Sequence, residues 1–285
     1  MTLRAVIPWA ACAALVACTA PAPPPAASTL DPERLNDGIE CMRYAFATDA
    51  PRVEAIAASF STRLFPLPAD RERLAREGVQ AAIVRTADLG EIRRRLGPLT
   101  ESTRMPIGQS ASWTELARRP LRPDERVGVD SVTVAGAGGE ARASVRSWLV
   151  PEVAGACAHV EVALHVVEPT SRRALQPGEP PDGTVSKGSV IECCLADGES
   201  LLLLPRPLPP PGKGPATGAD MPPRVGTLVL GEPVRQAIER PGSGYATAIA
   251  ISARVPATLQ PAPQVPVDSA APMEDTVEAP SGATP

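Results

Sequence analysis

Residues 157–167 read Cys157-Ala158-His159-Val160-Glu161-Val162-Ala163-Leu164-His165-Val166-Val167, and their alternation decides the fold class. Val160, Val162, Leu164 and Val166 fall on one side of an extended chain; His159, Glu161 and His165 fall on the other. Side chains along a strand point to opposite faces in turn, so this pattern buries one face and wets the other. Working outward, strands are predicted over residues 79–84, 127–134, 143–150, 153–167, 185–195, 199–204, 225–230 and 245–255. Asp197-Gly198 between two of these runs is the strongest short-range hairpin signal. In the last run Ala246, Ala248 and Ala250 lie opposite Thr247, Ile249 and Ile251, so a second layer can approach the small-residue face closely.

Before the β-rich part the signals are helical. Asp31-Pro32-Glu33 reads as an N-cap, a first-turn proline and a first-turn acid, followed by Leu35, Ile39, Met42 and Phe46 at helical spacing. Further helices are predicted over residues 53–60 and 70–76, the latter stopped at Gly78, and through Leu89, Ile92 and Leu96 up to Gly97-Pro98. Residues 205–223 form a Pro/Gly loop. The expected fold is α+β: a helical segment over residues 31–77, then a mostly antiparallel β domain over 78–255. Residues 256–285 are rich in Pro, Ala and acid and read as a disordered tail.

The chain opens with Met1 and Arg4, then an apolar run over residues 5–17 that is too short to span a bilayer. It ends in Leu15-Val16-Ala17-Cys18, which resembles the lipobox of bacterial lipoproteins. The resemblance implies that residues 1–17 are a signal peptide and that Cys18 becomes the acylated first residue. It implies further that the Pro/Ala-rich residues 18–30 form a tether. Thr19, rather than Asp, follows the cysteine, and by the same analogy this favours the outer membrane, either periplasm-facing or surface-exposed.

A net charge of −4 with scattered signs offers no basic surface for nucleic acid. Export permits disulfides among Cys41, Cys157, Cys193 and Cys194 in any of three connectivities, although adjacent Cys193 and Cys194 would point to opposite strand faces. Cys157, His159, Glu161 and His165 share strand parity, but same-face neighbours sit about 6.6 Å apart, so His165 lies about 20 Å from His159. At most Cys157, His159 and Glu161 could act together on a metal; with no companion pair, the expectation is a solvated strand face, no metal and no cofactor. Gly136, Gly138 and Gly139 are turn glycines, and Asp124, Glu125 and Asp130 read as solubilising charge. No nucleophile elbow or phosphate loop is present, and the expectation is no catalysis.

Four pieces resemble the C-terminal domain of secretins, the ring-forming outer-membrane channels of type II and type III secretion and pilus systems. They are Ala81-Ala82-Ile83-Val84-Arg85-Thr86-Ala87-Asp88-Leu89 and Thr103-Arg104-Met105-Pro106-Ile107-Gly108-Gln109-Ser110-Ala111, then Trp148-Leu149-Val150-Pro151-Glu152-Val153 and Ala196-Asp197-Gly198-Glu199-Ser200-Leu201-Leu202-Leu203. The family's Gly/Pro gate and its preceding ring domains have no counterpart here. The resemblance therefore implies a reduced, lipid-anchored envelope protein of structural or interaction type. Its partners would be the membrane and either copies of itself or other envelope proteins. The rival expectation is a ligand- or metal-binding or enzymatic lipoprotein using the Cys157/His159/Glu161 face.

Overall fold

The computed structural model describes residues 37–47, 50–152, 155–169, 179–206, 222–231 and 245–260. The signal, Cys18, the tether and residues 261–285 lie outside the described residues.

Among the described residues, a helix layer and two larger sheets stack as three layers. The first sheet has the order β2-β11-β12-β1-β3, formed by Val79–Arg85, Glu199–Pro205, Tyr245–Arg254, Gly38–Ala47 and Leu99–Gly108. The second runs β10-β8-β7-β4, formed by Ile191–Leu195, Gly155–Val167, Glu140–Glu152 and Ser110–Pro120, with β9 (Thr184–Val185) beside β8. Every pairing between these strands is antiparallel. The sheets share one core, to which Ile83, Leu201, Leu203, Ile249 and Ile251 contribute from one side and Val145, Val160, Val162 and Leu164 from the other. The opposite face of the first sheet is covered by α1 (Ala50–Phe60) and α3 (Leu89–Leu96). There Val53, Ile56 and Ile92 share a buried cluster with Ala246, Ala248, Ala250, Leu202 and Leu204. The alternation of alanines and isoleucines in β12 is thus a two-sided code, small toward helices and branched toward the second sheet.

Several expectations are corrected. Leu35, Ile39, Met42 and Phe46 suggested a helix, yet Gly38–Ala47 is β1, near the middle of the first sheet between β12 and β3. Ile39 and Cys41 face the inter-sheet core while Tyr44 and Phe46 face the helices. With both faces covered, a strand shows no polar alternation, and a spacing of three or four among its apolar residues loses its meaning. The helices predicted over residues 53–60 and 70–76 are present as α1 and α2 (Pro68–Arg76). Val225–Leu230, expected as a strand, is a short helix, α4, with five buried residues packed against both sheets. Periodicity cannot separate strand from helix in so short an apolar run. Residues 127–134 form two strands, β5 (Arg126–Val129) and β6 (Val132–Ala135), turned at Asp130 and Ser131.

The Asp197-Gly198 segment is also not a hairpin within one sheet. It carries the chain from β10 in the second sheet to β11 in the first, with Gly198 at φ 78°. Gly108, at φ 71°, makes the other such corner between β3 and β4. A hairpin is formed by β7 and β8, paired from Glu140↔Val167 to Glu152↔Gly155. Of the expected tail, residues 256–260 are described, and Ala257–Leu259 form a short 3₁₀ turn.

Candidate functional site

The strand that opened the sequence reading presents its polar side on the outer face of the second sheet. Register places His159 opposite Trp148 of β7 and Cys194 of β10, and Glu161 opposite Arg146 and Glu192. Trp113 of β4 completes the row; the Arg146 guanidinium lies 4.8 Å from its ring and 5.6 Å from that of Trp148. Such placement over aromatic faces is favourable for a cation. Arg146 also donates to Glu161 Oε2 at 2.6 Å, and the Trp148 and His159 ring centroids lie 4.5 Å apart with the planes tilted by 31°. The whole chain has three tryptophans and two histidines, and two of the former and one of the latter meet here.

Two carboxylates converge on one histidine nitrogen. His159 Nε2 lies 3.5 Å from Glu161 Oε1 and 3.4 Å from Glu192 Oε1, and it is buried with no hydrogen bond. His159 and Glu161 are mostly covered, whereas the Glu192 side chain is 64% exposed. By parity Cys157 could at most join His159 and Glu161, and the structure takes it out of the group. Cys157 is bonded to Cys194, diagonally across from it on β10, with 5.6 Å between Cα atoms. The disulfide takes the thiolate out of any ligand set, and Glu192 arrives instead from the neighbouring strand. Cys41 and Cys193 remain free thiols, both pushed up to about 12 by burial, which leaves them inert at neutral pH.

His165 is separated from this cluster, as the strand rise requires. It is 2% exposed; its Nε2 is 2.9 Å from Ser144 Oγ and its Nδ1 is 2.7 Å from the Asp182 carbonyl. Burial holds its pKa below the usual histidine value, so the ring is neutral, donating to Asp182 and accepting from Ser144. The pair has the connectivity of nucleophile and base, but Ser144 is itself only 5% exposed, out of reach of a substrate carbonyl.

The other polar clusters brace the fold. Asp130, at φ 51°, accepts from Ser186 Oγ and from the amides of Lys187 and Gly188. Burial alone would raise its pKa, but those donors together hold it below the usual range. Glu125 pairs with Arg119 at 2.8 Å, so two members of the expected solubilising trio are anchors instead. Glu77, beside Arg224 and Asp130, is 4% exposed, and burial raises its pKa against the pull of Arg224. Glu40, 6% exposed, is clamped between Arg104 and Arg254 from the strands on either side of β1. A cleft of about 520 Å³ opens beside it, lined by Tyr44, Arg93, Arg104, Asp197 and Ser252.

Comparison with protein-family models, with curated proteins and with solved structures returns no match. The chemistry of the site therefore rests on its own geometry.

Proposed function

We propose that the chain is an exported protein, anchored in the outer membrane by acylation of Cys18, that works in the envelope by structure and interaction and not by catalysis. The observation that supports export most directly is the Cys157–Cys194 bond between β8 and β10, since disulfides persist in oxidising compartments and are rare in the cytosol. It agrees with the Leu15-Val16-Ala17-Cys18 lipobox, an independent feature of the sequence. No helix among the described residues is long and apolar enough to cross a membrane, so in this reading the acyl chains supply the attachment. Interaction is favoured by β3, an edge strand paired only with β1 among the described residues, since free edges accept further strands.

Fractionation tests the anchor. The native chain should sediment with membranes until detergent is added, and Cys18→Ser should leave it in the supernatant. A Cys18→Ser chain that stays with the membrane contradicts the anchor. The secretin-like form of the reading adds self-assembly. It is supported by the β7–β8 hairpin carrying Pro151 and by the β2–α3 unit; the Asp197-Gly198 piece, which joins two sheets, lends it nothing. Rings in electron micrographs of detergent extracts support that form, and single small particles remove it.

A further inference from the structure

We propose that His159, Glu161 and Glu192 form a three-ligand site for a divalent transition cation of the zinc class. His159 Nε2 faces two carboxylate oxygens at 3.5 and 3.4 Å, and one ligand atom from each residue lies within 4.8 Å of the others. These separations exceed the roughly 2.7–2.9 Å to which a charge-assisted hydrogen bond contracts. They match a different requirement. Bonds of about 2.0–2.2 Å from zinc to nitrogen and oxygen place tetrahedral ligand atoms about 3.3–3.6 Å apart. The nitrogen is buried and makes no hydrogen bond, and the tautomer with its proton on Nδ1 would offer the Nε2 lone pair, set between two anionic oxygens, to a cation.

The surroundings are those of a supported site. Arg146 holds Glu161 by Oε2, which leaves Oε1 turned toward His159, and the Trp148 ring lies against the imidazole, its centroid 4.5 Å away. The Cys157–Cys194 bond fixes β10 against β8 two residues from Glu192, so the third ligand is held in register. Imidazole with two carboxylates suits zinc and neighbouring divalent ions better than soft thiolate-seeking ones, and three protein ligands leave a fourth position for water or a partner's side chain. Glu192 is the exposed member, so that fourth position opens to solvent. The site does not depend on the lipid anchor and is present in an unacylated chain.

Isothermal titration of the chelator-stripped, disulfide-intact chain with Zn²⁺ tests the proposal, with Co²⁺ absorption reporting ligand geometry. One ion should bind per chain, with a tetrahedral Co²⁺ spectrum. His159→Ala should abolish binding. Glu192→Gln, at an exposed position where the fold is not at risk, should weaken it at least tenfold with no change in thermal melting. Absence of binding, or binding at full strength in either variant, overturns the site.

Discussion

Two histidines share a strand parity but lie too far apart to act together, and the fold gives them opposite tasks. His165 is sealed between Ser144 and Asp182, while His159 lies between two carboxylates. Because burial depresses the folded pKa of His165, the neutral ring is the folded form. Its contribution to stability is therefore present above the unfolded value near 6.5 and is lost as pH falls below it. The slope cannot exceed about 1.4 kcal/mol per pH unit for one proton. Denaturant titrations between pH 7.5 and 5 should show wild type losing more stability on acidification than His165→Gln; parallel curves would show that His165 does not titrate on unfolding. The parity of residues 157–165 and the distance between the histidines were legible in the sequence. Glu192 was not, because which residue of β10 faces Glu161, 31 positions earlier in the chain, is set by the register of two strands.

Elements whose two faces carry different side chains were the easiest to read, whether one face is buried, as in β8, or both, as in β12. β8 showed its alternation, and β2, α3 and β12 fell where their apolar periods put them. β1 mixes apolar residues with Glu40 and Arg43 at a spacing that also fits a helix, and α4 is a short apolar run whose spacing fits either conformation. The Asp-Gly turn was recognised as a reversal, but the change of sheet it makes is a tertiary fact. The β12 alanines lie in the core cluster shared with α1 and α3. Ala248 has no exposure, so Ala248→Leu should cost about 1–3 kcal/mol by overpacking, read from the denaturation midpoint. A neutral result would mean that the helices do not pack tightly on this sheet. Cys157 and Cys194 are 37 residues apart, and closing such a loop in the unfolded chain is worth about 3–4 kcal/mol in the chain-entropy model. The Cys157→Ser/Cys194→Ser double variant should lose stability of that order, and wild type should lose as much in reductant.

At the scale of the molecule, a helix layer and two sheets close around two apolar cores, with the polar chemistry on the outer face of the second sheet. The helix layer lies on one flank, and the cluster of Trp113, Arg146, Trp148, His159, Glu161 and Glu192 on the other. In the proposed reading, the anchored chain would offer this chemically distinct face to a partner. The reading turns on export and acylation, and the mass of the mature chain tests it most directly. Protein extracted from its native envelope should begin at Cys18, without residues 1–17, and carry the added mass of its acyl chains. A chain that retains residues 1–17, or one that begins elsewhere with Cys18 unmodified, would contradict the account.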